Sequence, residues 1–399
     1  MAKQKCPGTT FVLCTLCGTF LYAICAGFRD NFGIMLPAIV AERGLSYATV
    51  SFIIALGQLF FGLMQPVFGF LSVRKSPRFV LFSGIFLMLA GLATSAVTHS
   101  ATLLTIAMGI LLPSGTAAAS FGIIMSCLLP VFSDRQAHTA SGFIAAGIGL
   151  SICLLAPLLQ YSLASRGLVT TLFLLSTPII LLVPVAIFLT HVGKAAMKVV
   201  ESTRESFADM LRLAAASPAY RRVSFGFFTC GFHMALIQTH LFSQLTAFGI
   251  PDRLASWGLS VYGLGVIAGS ISSGMACRYF PMERILGCLY SSRCLWVALM
   301  LLPLPYWALF AVIFCLGLTG VATVAPTSNL IGTLFGPRRL ATLFGFTYLL
   351  HQLGAFCSAW SGGLCLRYTG DYSGIWYADI ALCFLAGAAC LTLRRARKI

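Results

Sequence analysis

Charge is scarce in this chain, and negative charge is scarcest. Only 9% of its 399 residues are charged, with 10 Asp and Glu against 26 Lys and Arg. A water-soluble domain carries about 25% charged residues, so a soluble fold is excluded. Catalytic signatures are missing too. No GxxxxGK[ST] loop is present to cradle a nucleotide phosphate, and no HExxH or GxSxG marks a zinc or serine hydrolase centre. Too few polar residues lie outside the apolar runs to build a separate catalytic domain, so no enzyme, cofactor or metal site is expected. Cysteine is plentiful, at 15 residues. A disulfide framework belongs to short secreted chains. Here most cysteines fall inside apolar stretches, where the thiol packs as a small hydrophobe. Cys14-Thr-Leu-Cys17 has CxxC spacing but no second ligand pair, and reads as packing.

What the chain does have is apolar length. It is 59% hydrophobic with a mean hydropathy of +0.93. A bilayer-crossing helix needs about 20 apolar residues. Polar breaks divide the sequence into twelve such segments: 11–36, 48–71, 79–98, 101–129, 139–162, 168–191, 220–247, 254–277, 284–303, 306–334, 340–366 and 373–393. A membrane β-barrel would show segments of about ten alternating residues, and these are longer and uniformly apolar. The expected fold is therefore an all-α polytopic membrane protein with twelve transmembrane helices. The opening Met1–Pro7 precedes an apolar stretch longer than a signal-peptide core and shows no small-residue cleavage site, so it reads as the approach to a retained first helix.

The net charge of +16 resolves once it is mapped. With both termini placed in the cytoplasm, twenty Lys and Arg fall on that side, four (Arg43, Arg166, Arg253 and Arg367) fall on the other, and Arg29 and Arg293 stay at membrane depth. That bias is the positive-inside rule. It accounts for the charge by topology and excludes nucleic acid as a partner, because no soluble basic face exists to bind it. The longest polar stretch, near residues 191–218, splits the segments six and six. It predicts an N-terminal six-helix bundle over 1–191, an amphipathic cytoplasmic linker over 192–218 and a C-terminal six-helix bundle over 219–399. The halves echo each other. Gly69 and Gly274 follow the second and eighth segments 205 positions apart, and Gly142 and Gly345 lie in the fifth and eleventh 203 apart. Such repeats are common in transporters, with the binding site at midplane between them. Gly142, Gly147 and Gly149 ahead of Pro157, with Pro113 and Pro326 in the fourth and tenth segments, supply the close and deformable contacts that rocking bundles need.

These features resemble the major facilitator superfamily over essentially the full chain. Its signature after helices two and eight is glycine, three variable residues, aspartate and arginine. Gly69 and Arg74 keep their places while Val73 replaces the aspartate; counting from Gly274, Arg278 stands at the aspartate position and Tyr279 at the arginine. Within the superfamily the chain is similar to bacterial relatives of the monocarboxylate and oxalate–formate carriers, through Gly27-Phe-Arg-Asp-Asn-Phe-Gly-Ile-Met-Leu-Pro37, Gln58 to Pro66, Cys230 to His240 and His351-Gln-Leu-Gly-Ala355. The resemblance implies two pseudo-symmetric bundles in a bacterial cytoplasmic membrane, working as a monomer, with Arg74 and Arg278 in the cytoplasmic gating loops. Monocarboxylate carriers hold an arginine in helix eight, and the matching place here is Ser270; Arg29 stands near a helix-one lysine of some relatives.

Charge at membrane depth is expensive and is kept where it faces a wet cavity or a partner. Arg29 offers a planar fork of donors suited to a carboxylate; its alternative role is a structural ion pair. Pairing with adjacent Asp30 is not expected, because neighbouring residues on a helix do not face each other. Asp30 is a candidate proton carrier, or else a fixed partner of a base such as Arg293. His233, His240 and Gln244 share roughly one face of helix seven, and His351 lies in a polar stripe with Thr347 and Ser358 in helix eleven. The candidate substrate-binding set is Arg29, Asn31, Gln58, His233, Asn329 and His351. Asp30, His233 and His351 are the proton-coupling candidates, and Arg74, Arg278 and Arg293 the gating ones. The expected function is secondary active transport of a small organic anion, a monocarboxylate, coupled to protons. Alternatives are efflux of hydrophobic compounds or drugs, carriage of a larger ligand such as a metal chelate, and a ligand sensor without net transport.

Overall fold

The computed structural model describes residues 6–128, 131–194, 207–277, 279–335 and 337–393. Among the described residues there are helices and no strands. In order they are α1 (Gly8–Asp30), α2 (Phe32–Arg43), α3 (Tyr47–Arg74), α4 (Pro77–Val97), α5 (Ala101–Leu104), α6 (Leu112–Ala118), α7 (Phe121–Leu128), α8 (Asp134–Ile180), α9 (Leu182–Lys194), α10 (Phe207–Ala216), α11 (Pro218–Ala247), α12 (Asp252–Ala276), α13 (Met282–Met300), α14 (Tyr306–Gly320), α15 (Val324–Phe335), α16 (Pro337–Thr369) and α17 (Ser373–Leu391). Eight helical stretches among these residues are long and apolar enough to cross a membrane.

Helix starts follow local chemistry. Ser46, Ser76, Ser100, Ser133 and Ser217 each accept a hydrogen bond from the first turn that follows, satisfying an amide that the helix leaves unpaired. Pro77 and Pro218 follow their caps, where proline's missing N–H is harmless. The break expected between 162 and 168 falls inside the long α8, at Gly167 (φ 75°, ψ 175°). That backbone is open to glycine and little else, and the next amide, of Leu168, donates to Glu42 Oε1 at 2.9 Å. Arg43 closes the far end of α4 by donating to the carbonyls of Ser95 and Ala96 at 3.0 and 2.9 Å.

The first segment, read as one helix over 11–36, is two. Asn31 (φ −115°, ψ 10°) separates α1 from α2, and its side-chain amide donates to the Gly27 carbonyl at 2.9 Å. Prolines open helices elsewhere, and side chains of neighbouring helices answer the carbonyls they free. Pro157 removes the donor for Cys153 O, which accepts instead from Ser260 Oγ of α12 at 2.7 Å. Pro326 does the same to Ala322 O, which accepts from Ser273 Oγ at 2.5 Å. This is how an interrupted helix survives where water is absent. In the fourth segment the chain widens to a π-helical stretch, Thr105–Leu111, just before Pro113.

The packing repeats along the chain. In the first half α1 lies on α8 and α3 on α6; in the second α11 lies on α16 and α12 on α14. Between the halves, α3 packs on α16, α8 on α12 and α2 on α11.

A candidate anion site at the head of a one-ended cleft

The two main seams between the halves are made by small residues. A Cβ on Gly62 of α3 would lie 2.7 Å from Gln352 Cβ of α16, and one on Gly263 of α12 would lie 2.7 Å from Gly149 O of α8. At Gly149–Gly263 the helices touch nearly backbone to backbone, and at Gly62 α3 rests on the Gln352 side chain. Gly69 lies seven residues beyond Gly62, Gly345 seven before Gln352, and Gly274 eleven beyond Gly263, so each shares the face that makes contact. Among the described residues, a Cβ at any of the three would meet nothing within 4 Å. Both seams therefore part toward the same end, the end bearing the turn between α3 and α4. Gly69, Gly274 and Gly345, three of the glycines in the internal repeat, line this opening.

At the opposite end the halves are joined. Tyr372 donates its hydroxyl to Tyr47 at 2.7 Å, and Tyr47 lies 3.0 Å from His240 Nδ1. His240 Nε2 lies 2.9 Å from the Ala359 carbonyl. A carbonyl only accepts, so Nε2 carries the proton and Nδ1 accepts from Tyr47. The result is one continuous chain of donors from α17 through α3 to α11 and α16. Gly363 presses on Ser51 at the same level, where an added Cβ would lie 2.5 Å from Ser51 Cβ.

Arg29 stands where the cleft closes, at the end of α1. It is buried, its guanidinium lies 4.1 Å from the centre of the Phe61 ring, and its Nε donates to Asp30 Oδ1 at 2.8 Å. The pairing with Asp30 corrects the expectation from helix geometry. Asn31 leaves the helical conformation at the next position, so Asp30 is the last residue of α1 and the rule for a continuous helix surface does not hold there. The Tyr348 phenol lies within hydrogen-bond reach of the guanidinium as well. Among the described residues Arg29 Nη1 and Asp30 Oδ2 are buried without partners, so Nη1 is unspent. The phenols of Tyr22 and Tyr348 lie close enough to feel the guanidinium charge, and so does the His351 ring. That ring stacks on Tyr348 at 5.1 Å and its Nδ1 is buried and unpartnered. The Tyr348 signal was available in the sequence: it stands three residues before His351 and so beside it on the helix.

The other candidates fall elsewhere. Asn31 spends its amide on Gly27, and its oxygen is buried and unpartnered beside the site. Gln58 is buried on α3, three residues before Phe61. Asn329 is exposed on α15, its carbonyl oxygen accepting from Thr333 at 2.9 Å. His233 is turned to α17, where its Nδ1 lies 2.6 Å from Asp379 Oδ2 with both side chains fully buried. Cys383 Sγ completes a tight group with them. The direct Nδ1–Oδ2 contact makes this a buried hydrogen-bonded pair that ties α11 to α17 and occupies the atoms a metal ion would need. Arg293 does not meet Asp30. Its Nη2 donates to the Thr319 and Gly320 carbonyls, at the break between α14 and α15, and to Cys230 Sγ. Ser270 has a buried, unpartnered hydroxyl. Arg278 lies outside the described residues, as does the side chain of Arg74.

Comparison with known proteins agrees with this architecture. The chain is 25% identical to monocarboxylate transporter 13 of Rattus norvegicus over 381 residues, covering 94% of the chain and 86% of the relative. It is 25% identical to monocarboxylate transporter 13 of Bos taurus, covering 94% and 87%. It is 24% identical to an uncharacterised MFS-type transporter, YcxA, of Bacillus subtilis (strain 168), covering 89% and 88%. The model of the Major Facilitator Superfamily matches residues 16–245, more than half the length, and the chain belongs to that superfamily.

Proposed function

We propose that the chain is a secondary carrier that moves a small organic monocarboxylate through the membrane by alternating access. Twelve helical segments form the two bundles, 1–191 and 219–399, joined by the 192–218 linker. The observation that carries the reading is Arg29: a buried guanidinium with an unspent Nη1 at the head of a cleft that opens to one side. The relatives named as monocarboxylate transporters support the cargo class. The basic loops beside the open end support a cytoplasmic orientation for it; this form then faces inward in a bacterial cytoplasmic membrane, with the complete site in a single chain. Arg74 and Arg278 remain the gating candidates for that side. Uptake of labelled carboxylates into proteoliposomes, with and without an imposed pH gradient, tests the reading. Extrusion of cationic dyes without movement of any carboxylate would replace it with drug efflux.

Proton coupling follows from charge balance. Arg29 and Asp30 together are neutral. A carboxylate arriving alone would leave one uncompensated charge in a dry site, where charges about 4 Å apart interact by ~4 kcal/mol at an effective dielectric of 20. A proton taken by Asp30 in the same step keeps the sum at zero and releases Nε from its bond. His351 stands beside the pair as an alternative acceptor. Asp30→Asn, which cannot ionise, is expected to exchange anions but to lose accumulation driven by a pH gradient. Full gradient-driven accumulation in that variant would move the proton to another group.

The Tyr47 chain is the fastening that must open for the carrier to face outward. Removing one hydroxyl removes about 0.5–1.5 kcal/mol. Tyr47→Phe is therefore expected to raise the outward-open population roughly 2- to 10-fold, read from spin-label distances across this end. An unchanged distance distribution would show that the seams alone hold the closure.

A further inference from the structure

The site is built for more than a carboxylate. Phe61 lies under the guanidinium and meets Tyr348 with ring centres 6.3 Å apart. Tyr348 stacks on His351 and meets Phe344, at 6.2 Å, one turn nearer the open end. Phe227 is fully buried behind all three, 5.9 Å from Tyr348, 5.7 Å from Phe344 and 4.8 Å from His351, and holds the wall in place. Tyr348 and Phe344 are only half-buried, and between them lies Gly345, the residue that faces open space. Across the cleft, Tyr22 lies seven residues before Arg29 and so on the same face of α1, and its phenol is near enough to interact with that of Tyr348. Rings from both halves thus flank the path below the guanidinium. Arg293 donates from Nη2 to the helix carbonyls at the α14–α15 break and lies over the Tyr290 ring, so the guanidinium over Phe61 in this wall is that of Arg29.

We infer that the cargo is a monocarboxylate with a flat apolar body, an aryl or arylalkyl acid, whose carboxylate meets Arg29 while its ring lies against Tyr348 and Phe344. This rests on the carboxylate reading above and deepens it. A two- or three-carbon acid reaches Arg29 and leaves the wall, which runs about 6 Å along α16, without a partner. An aromatic body covers it and gains offset or edge-on ring contacts that a methyl group does not. A second carboxylate on the cargo would add a charge that the Arg29–Asp30 pair and one proton do not balance.

The test uses the full chain in proteoliposomes loaded for exchange of labelled benzoate, with acetate, lactate, phenylacetate, succinate and benzyl alcohol as competitors. Phenylacetate is expected to compete at concentrations at least tenfold below acetate and lactate, with succinate and benzyl alcohol weakest. In Tyr348→Leu that preference should fall toward parity, and in Tyr348→Phe, which keeps the ring, it should persist. Acetate or lactate competing as well as phenylacetate would overturn the aromatic assignment and leave the carboxylate reading standing. Benzyl alcohol matching phenylacetate would overturn both, and so would failure of every carboxylate to exchange. Equal preference in the Leu and Phe variants would remove Tyr348 from the site.

Discussion

Arg29→Gln is expected to abolish carboxylate transport while the protein still assembles in the membrane. The guanidinium is the charge that a carboxylate would meet at the head of the cleft, and its neighbours there are Phe61, Tyr22 and Tyr348. Truncating one partner of a buried, hydrogen-bonded charge pair costs about 2–5 kcal/mol, which corresponds to roughly 30- to several-thousand-fold in affinity. Arg29→Lys keeps the charge but loses the planar fork and the stacking on Phe61, so it should recover little of the loss. The single Gln variant strands the Asp30 carboxylate, which pairs with Arg29 at 2.8 Å. The double variant Arg29→Gln/Asp30→Asn removes both charges and separates the two effects. It should unfold at a temperature near that of the parent and still fail to bind the anion. Undiminished flux in either variant would make the Arg29–Asp30 pair a helix-end brace and nothing more.

The second large effect falls on stability. Arg293 is fully buried and joins α13 to the break in the tenth segment through the carbonyls of Thr319 and Gly320. Pro326 and the short turn at Val321–Thr323 interrupt the helix there. Arg293→Met fills much of the volume and removes the donors. Each orphaned buried acceptor costs about 1–3 kcal/mol, so two should cost roughly 2–6 kcal/mol. A large fall in the thermal midpoint of the detergent-solubilised protein would register it, together with loss of the properly inserted fraction. A fall no greater than that of a conservative surface variant would mean that water or neighbouring hydroxyls satisfy those carbonyls. In the sequence Arg293 reads as a gating candidate; its bonds make it a strap across a broken helix.

Much of the architecture was legible from composition. Apolar length marked the chain as all-helical and membrane-spanning, and the break expected between 162 and 168 coincides with the kink at Gly167 inside α8. The landmark glycines marked where the halves part, because a residue without a side chain matters most where helices touch or separate. The partner of each polar side chain was not legible. Period 3.6 puts His233, His240 and Gln244 near one face of α11, but His233 meets Asp379 and Gln244 meets Trp376, both on α17, while His240 reaches Tyr47 of the other half. Helix phase says which side a residue takes, and tertiary packing decides which neighbour occupies that side. The break at Asn31 was missed for a related reason. Neither glycine nor proline marks it, and the Asn31 side-chain bond to Gly27 that goes with it is seen only in three dimensions. The Arg29–Asp30 pairing follows from that break.

The seam at Gly149–Gly263 has a kinetic consequence. Main chain resting on main chain holds no rotamers to be re-sorted when the surfaces separate, so parting and rejoining carry little side-chain entropy. Resistance to the swing then concentrates in a handful of discrete fasteners, the Tyr47 hydroxyl and the Ser260 bond to Cys153 among them. Turnover in such a machine is adjustable one oxygen atom at a time.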